Sequence, residues 1–237
     1  MTPGHLDTQR VYFTPELFRF LKTLKRNNNR PWFLKNKEKY ERLVRNPMLD
    51  FIGQLGPSLR KISPHLVVDN SPTRGSMFRI YRDARFSKDK TPYKTHVAAR
   101  FPISRQREIH TPGYYLHLEP GQVFSGGGVW RPDAPALAQI RDYLLNHPRE
   151  WKAILSNKTF MKFCSPEGDK LQRPPKGYPV DHELIEYLKL KDFVFYTAFT
   201  EKQACSPDFM KRLVEAYAAA EPYMRFLTQA LKMPWAS

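Results

Sequence analysis

The sequence predicts an α+β fold in which an antiparallel β-meander of about four to five strands is flanked by N-terminal and C-terminal helices. Three observations lead to this prediction. Apolar residues recur at helical spacing over residues 14–62, switch to a period of two over residues 77–130, and return to helical spacing from residue 135. Short turns join the consecutive strands, and strands joined in this way pair antiparallel.

The N-terminal region is predicted to form three helices. Thr14 can cap the first helix, Pro15 suits its first position, and Glu16 complements the positive end of its dipole. A second helix is predicted over residues 31–44 and a third over residues 47–62. Glycine and proline near the middle of the third helix weaken that last prediction.

The meander is predicted from alternating side chains. Its first strand covers residues 77–81, with Phe78 and Ile80 on one face and Arg79 and Tyr81 on the other. The following strands are predicted over residues 95–101, 114–119, 122–130 and 193–199.

Helical patterns return in the C-terminal part of the chain. Helices are predicted over residues 135–145, 148–155, 181–190 and 222–231, with one more starting at Ser206. Residues 171–180 are too rich in proline and glycine for regular structure and predict an ordered loop. We expect residues 1–10 to form a flexible tail and residues 11–237 to form a single domain, because no linker or repeat interrupts them.

The composition is that of a folded, basic protein. Of its 237 residues, 41% are hydrophobic, which predicts a sizeable core and excludes extensive disorder. The net charge of +16 and the pI of about 9.9 favour anionic partners, although such an excess also keeps proteins soluble. Cys164 and Cys205 form neither a disulfide framework nor a zinc-finger spacing. Lacking an apolar signal core and a membrane-length apolar run, the chain is expected to be cytoplasmic, with no membrane partner.

Residues 77–101, which we call the basic segment, combine cations with aromatic rings, a mixture that suits an anion. Arginine offers a planar fork for phosphate or carboxylate, and lysine offers a point charge. The candidate anion-binding residues are Arg79, Tyr81, Arg82, Arg85, Ser87, Lys88, Lys90, Tyr93 and Lys94, together with Arg173 from the proline-rich loop. The alternative is a surface hairpin whose charges are solvated or paired with acids elsewhere.

Acid–base and nucleophilic chemistry also have candidates in the basic segment. Asp83 can act as an acid or base, and His96 lies on the next predicted strand. Ser87-x-x-Lys90 matches the nucleophile motif of penicillin-interacting enzymes, in which the lysine lies one helical turn after the serine. A proline at position 92 disfavours a helix here, which argues against a nucleophilic Ser87.

A metal site is a further hypothesis. His117 and Glu119 are two residues apart on a predicted strand, so both project from one face and can bind one ion. His96, His110 or His182 would supply a third ligand. A strand histidine that is only hydrogen-bonded on a half-buried face remains the alternative, and the sequence identifies no cofactor.

Several stretches resemble one protein family. Residues 78–96, FRIYRDARFSKDKTPYKTH, closely resemble the hallmark of domain of unknown function 2461, a family of conserved hypothetical, chiefly bacterial proteins. Further matching stretches are NNNRPWF (27–33), PGYYLHLEP (112–120), GGGVW (126–130), RPPKGY (173–178), KDF (191–193) and MRFL (224–227). The resemblance covers nearly the whole chain and departs at Ala84, where the family more usually has threonine. It implies one full-length domain and no established activity.

The favoured function is binding of a phosphorylated ligand or nucleic acid by the basic segment. Its cations would supply charge, and Tyr81, Phe86 and Tyr93 would stack or donate hydrogen bonds. One alternative is an enzyme of unknown reaction, such as a metal-assisted hydrolase, with Asp83, His96 and His117 as its candidate catalytic residues. Another is an interaction module whose basic face docks an acidic protein. The sequence identifies no substrate and no oligomeric state.

Overall fold

The computed structural model of the protein describes residues 10–104 and 111–235. Its helices are α1 (Pro15–Arg26), α2 (Arg30–Lys35), α3 (Lys37–Tyr40), α4 (Asn46–Ile62), α5 (Ala134–Asn146), α6 (Pro148–Ser156), α7 (Lys158–Phe163), α8 (Ile185–Leu188), α9 (Glu201–Ala204), α10 (Phe209–Ala219) and α11 (Glu221–Ala230). A π-helical turn, Glu41–Arg45, joins α3 to α4. Its strands are β1 (Val97–Pro102), β2 (Gly113–Glu119), β3 (Gln122–Val129), β4 (Ser165–Glu167) and β5 (Phe193–Phe199).

The strands form one antiparallel sheet in the order β1-β2-β3-β5-β4. Because β1, β2 and β3 are consecutive in the chain and adjacent in the sheet, the predicted α+β class and its meander are confirmed. Four of the predicted strands correspond to β1, β2, β3 and β5. The sequence does not reveal β4, because its three residues are too few to establish a period and one is a proline.

The inner face of the sheet packs against the C-terminal helices. The Tyr114 ring lies 4.3 Å from that of Tyr217 on α10, and the Phe195 ring lies 5.8 Å from that of Tyr223 on α11. The packing is so close that a Cβ at Gly127 would lie 2.8 Å from the Phe195 ring. The glycine run of β3 therefore serves the contact between β3 and its neighbours.

The outer face of the sheet carries a row of rings. Tyr115, His117, Phe124 and Tyr196 occupy it, because strand side chains alternate between the two faces. The Phe124 ring lies 4.7 Å from the His117 ring and 5.4 Å from the Tyr196 ring. Mutual packing of this kind leaves His117 only 7% exposed.

The N-terminal helices differ from the prediction in one respect. The predicted second helix breaks at Asn36, after which α3, the π-helical turn and α4 continue without interruption to Ile62. Pro57 does not break α4, because Leu55 and Leu59 of its apolar stripe are fully buried and fix the helix against the core. Phe51 of α4 contacts Phe209 of α10 at 5.8 Å between ring centroids, which joins the two helical regions.

The predicted first strand, residues 77–81, is extended but not a regular strand. Met77 forms an isolated bridge with Ala99 of β1, and Tyr81 forms another with Tyr93. Each end of the segment therefore pairs with a different partner, and no ladder forms between them. The regular meander begins one element later, at β1.

The C-terminal helices follow the prediction with two additions. The predicted helices correspond to α5, α6, α10 and α11, and the structure adds α7 and α9. The helix expected over residues 181–190 is shortened to α8. None of the described helices combines the length and apolar character that crossing a bilayer requires.

One contact cluster of buried side chains extends from Phe13 to Trp235. It favours the predicted single domain over residues 11–237, which stays a prediction. Of the predicted tail, residues 1–9 lie outside the described residues.

Candidate functional site

One asparagine fixes the basic segment to the N-terminal helices. The Asn28 side chain donates to the Tyr93 carbonyl at 2.8 Å and accepts from the Tyr93 N–H at 3.0 Å. The Tyr93 ring is buried and stacks on Phe33 of α2 at 4.1 Å between ring centroids. Because these contacts satisfy both backbone groups of Tyr93, the start of α2 sets the position of the basic segment.

A tight turn before the basic segment positions Arg74. The Ser76 N–H donates to the Asp69 carbonyl at 2.7 Å, and the Asp69 N–H donates to Ser76 Oγ at 3.0 Å. A Cβ at Gly75 would lie 2.6 Å from the Asp69 carbonyl oxygen, so only glycine fits there. Arg74 adopts a φ of 63°, a conformation that is uncommon for arginine and that recurs at functional sites.

A cleft of about 710 Å³ lies between this turn, the basic segment and the π-helical turn, and we call it the cationic cleft. Lys37, Arg45, Arg74 and Arg79 line it. Glu41 is the one carboxylate among the described residues of its lining. The lining therefore carries an excess of three positive charges over negative ones.

Most cations of the cationic cleft lack a carboxylate partner. Arg45 contacts Glu41 at 3.5 Å, as residues one helical turn apart often do. Lys37, Arg74 and Arg79 form no ion pair within residues 10–104 and 111–235. An anion that enters the cleft would meet these charges without displacing a protein carboxylate.

Two exposed aromatic rings line the same cleft. Tyr81 is 55% exposed and Phe78 is 41% exposed. The Tyr81 ring rests on the buried Tyr93 ring at 5.5 Å between centroids, which holds it in place. Exposed rings held in this way offer a surface on which a planar ligand can stack.

Arg82 is engaged within its own loop. It forms an ion pair with Asp89 and donates to the hydroxyls of Ser87 and Thr91 at 3.0 and 2.9 Å. Hydrogen bonds lower the pKa of Asp89 to about 2. The largest effect comes from the Thr91 N–H and the next from the Arg82 side chain. Arg82 and Ser87, both predicted anion ligands, therefore hold the loop together.

Arg85 and Lys90 are also occupied by the loop. Arg85 donates to both carboxylate oxygens of Asp83, at 2.9 and 2.8 Å, and this pair lowers the pKa of Asp83 to about 2. Asp83 is consequently a weak base near neutral pH. Lys90 Nζ donates to the Ala84 and Arg85 carbonyls at 3.1 and 3.2 Å, and residues 87–90 are not helical. The geometry of the penicillin-interacting motif is therefore not formed, and Lys88 is exposed.

Lys94 stabilises the basic segment through contacts with Arg79 and Phe78. Its Nζ donates to the Arg79 carbonyl at 3.1 Å and lies 5.2 Å from the centre of the Phe78 ring. Burial, with the charge of Arg79, lowers the pKa of Lys94. This lysine orients two residues of the cationic cleft but does not line it.

Arg173 lies in a different region from the cationic cleft. Its loop packs on α5, where the Tyr178 O–H donates to Asp142 at 2.9 Å and Arg141 lies over the Tyr178 ring at 5.9 Å. Arg173 is exposed and is not part of the lining of the cleft.

The structure brings together three of the predicted metal-ligand candidates, His96, His117 and Glu119, which we call the histidine–glutamate cluster. Their ligand atoms all lie within 4.8 Å of one another. His117 Nε2 is 3.2 Å from Glu119 Oε2, and the His96 and His117 rings are 4.4 Å apart. The register explains this arrangement, because His117 pairs with Ala98 and Leu118 with Val97, the residue that follows His96.

Burial favours the neutral form of both imidazoles in this cluster. The pKa of His96 is lowered to about 4, mainly by burial and to a smaller extent by the charge of the neighbouring His117. Burial also lowers the pKa of His117, although its hydrogen bond to Glu119 opposes that shift. Neutral imidazole is the form that binds metal ions.

The other predicted histidine ligands are not in this cluster. His182 precedes α8, where its Nδ1 accepts from the Leu184 N–H at 3.1 Å. His110 lies outside the described residues.

A family model for conserved hypothetical proteins designated DUF2461 matches residues 16–226. The chain belongs to this family. The stretch that carries the DUF2461 hallmark contributes Arg79 and Tyr81 to the cationic cleft and His96 to the histidine–glutamate cluster. No curated protein and no solved structure matches the chain.

Sequence reasoning missed three cations of the cleft, Lys37, Arg45 and Arg74. Lys37, Glu41 and Arg45 follow one another at four-residue spacing, which is the spacing of one helical face, so a signal for two of them was present. Arg74 gives no comparable signal, because its position depends on a left-handed residue within a turn.

Proposed function

We propose that the protein binds a phosphorylated ligand in the cationic cleft, either a nucleotide or the nucleotide units of a single strand. The observation that carries this proposal is the excess of four cations over one carboxylate in the described lining of the cleft. Arg74 and Arg79 supply planar donor forks that match phosphate oxygens, and Lys37 adds a point charge.

The size and the rings of the cleft support the same ligand class. Its volume of about 710 Å³ falls within the roughly 300–1,000 Å³ of small-molecule sites. Phe78 and Tyr81 offer stacking surfaces beside the cations. Stacking of one base on such a ring contributes about 1–3 kcal/mol to binding.

This proposal narrows the predicted set of anion ligands. Arg79 and Tyr81 remain in it as direct contacts. Arg82 and Arg85 contribute less, because carboxylates of the same loop already neutralise them. Tyr93 and Lys94 position the segment instead of contacting the ligand.

An acidic protein partner is a second candidate, and one exposed side chain favours it. Phe86 is 96% exposed, with Arg85 lying 5.7 Å from the centre of its ring. Large exposed rings beside cations are a feature of protein-binding surfaces. The cations that line the cationic cleft without a carboxylate partner among the described residues favour the phosphorylated ligand over this alternative.

The expected cytoplasmic location is part of the proposal. Cys164 and Cys205 are free thiols, and burial raises the pKa of Cys164 to about 12. Unpaired, unreactive cysteines are typical of proteins that work in a reducing compartment.

The test is a titration with nucleoside phosphates and with short single-stranded DNA and RNA at two ionic strengths. We expect binding that weakens as salt increases. Salt-insensitive binding, or none to any of these probes, would contradict the proposal.

A matched pair of variants separates the cleft from the loop tip. Tyr81→Ala should weaken binding of these probes, because its ring lines the cleft, whereas Phe86→Ala should not. The opposite result would assign binding of these probes to the loop tip and contradict the proposed site.

A further inference from the structure

We propose that the histidine–glutamate cluster binds one divalent transition-metal ion of the Zn²⁺ or Fe²⁺ class. The site lies on the outer face of the sheet, where β2 provides His117 and Glu119 and the residue before β1 provides His96. It shares no residue with the lining of the cationic cleft, so it does not depend on the proposed ligand.

The spacing of the ligand atoms suits a single ion. Metal–ligand bonds of about 2.0–2.2 Å place neighbouring ligands of a tetrahedral ion roughly 3.4 Å apart. His117 Nε2 and Glu119 Oε2 are already 3.2 Å apart, and the third ligand atom lies within 4.8 Å of both. Binding of an ion would require the His96 side chain to close the remaining gap.

A hydrogen bond within the cluster does not explain the position of His96. A hydrogen-bonded pair explains His117 and Glu119, which lie within bonding distance. His96 is half-buried against the His117 ring, yet it has no hydrogen-bond partner in the part of the chain that the structure describes. An imidazole whose ring nitrogens have no partner among the described residues is free to bind an ion beside His117 and Glu119.

Two of the ligands have the outer partners that metal ligands need. The Tyr115 hydroxyl lies 3.0 Å from His117 Nδ1, so the nitrogen that faces the ion is Nε2. The Thr95 hydroxyl donates to Glu119 Oε1 at 2.9 Å and leaves Oε2 to face the ion. Hydrogen bonds of this kind fix the tautomer and orientation of metal ligands.

The chemistry of the ligand set selects the ion. Two imidazoles with one carboxylate suit Zn²⁺ and Fe²⁺, whereas Mg²⁺ and Ca²⁺ prefer oxygen ligands alone. Three protein ligands leave at least one coordination position for water or another ligand. The cluster therefore has the ligand count of a reactive site, not of a closed structural one.

The experiment begins with protein freed of metal by a chelator and titrates it with Zn²⁺ by calorimetry and with Co²⁺ by visible absorption. One ion should bind per chain. Glu119→Gln keeps the shape of the side chain but removes its charge, and His96→Ala removes a partly exposed ring. Each variant should lose more affinity than the about 10- to 100-fold drop that follows loss of an outer partner, as in Tyr115→Phe.

His182→Ala is the matched control, because it removes a histidine outside the cluster. It should bind both ions as wild type does. The proposal is overturned if wild type binds no stoichiometric ion, or if His96→Ala binds as tightly as wild type. It is also overturned if His182→Ala loses as much affinity as His96→Ala. Nucleotide titrations in chelator test the cationic cleft separately, so the two proposals can fail independently.

Discussion

Replacing Arg79 with glutamine should weaken the binding of a phosphorylated ligand far more than replacing Arg85 with glutamine. Both changes remove one charge from an exposed arginine of the basic segment. Arg79 lines the cationic cleft without a carboxylate partner in the described chain, whereas Arg85 is paired with Asp83. The two variants therefore change the total charge equally and differ only in where the charge is lost.

The magnitude follows from the charges in the cleft. The logarithm of affinity for a single strand falls with the logarithm of salt by about 0.7 for each phosphate that a cation neutralises. A net excess of three charges predicts a slope of about −2, and Arg79→Gln should reduce it to about −1.4. At constant salt, loss of the charged hydrogen bond from Arg79 should weaken binding by about 1.5–3 kcal/mol, which is a roughly 10- to 150-fold loss of affinity.

The assay is fluorescence anisotropy with a labelled single-stranded oligonucleotide between about 50 and about 200 mM salt. Arg85→Gln should keep the wild-type slope, with an affinity within about threefold of wild type, because an exposed ion pair contributes little. Equal losses for Arg79→Gln and Arg85→Gln would contradict binding in the cleft, since affinity would then depend on total charge alone.

Two further predictions concern the fold that supports the site. Asn28→Ala removes both hydrogen bonds to the Tyr93 backbone and should lower the free energy of unfolding by about 2 kcal/mol in chemical denaturation. Unchanged stability would show that Asn28 does not anchor the basic segment. Gly127→Ala places a methyl group against the Phe195 ring and should destabilise by about 1–3 kcal/mol. Gly56→Ala within α4 meets only the side chains of Arg60 and Val68, so it should instead stabilise by about 0.5–1 kcal/mol. Equal effects of the two alanines would contradict close packing at Gly127.

The sheet could be predicted from the sequence because its pattern is local. Alternation along β2 was sufficient to place His117 and Glu119 on one face, and the structure has them there, 3.2 Å apart. The involvement of His96 was one of three options. Only the register between β1 and β2 selects it, and register depends on pairing across the sheet.

The cationic cleft could be predicted only in part. Arg79 and Tyr81 were identified from composition, but so were Arg82 and Arg85, which look equivalent in the sequence. Their difference arises from short-range pairing, because the loop folds so that each of the latter meets a carboxylate. Arg74 could not be predicted as a cleft residue, because it lies outside the basic segment and reaches the cleft through its own left-handed backbone conformation.

Ligand binding in the cationic cleft is tested most directly by mapping chemical-shift changes in isotope-labelled protein as a nucleoside triphosphate is added. The largest changes should fall on Lys37, Arg74, Arg79 and Tyr81, which come from three separate parts of the chain and meet in the cleft. Changes confined to loop residues 84–90, or spread evenly over exposed lysines and arginines, would contradict binding in the cleft.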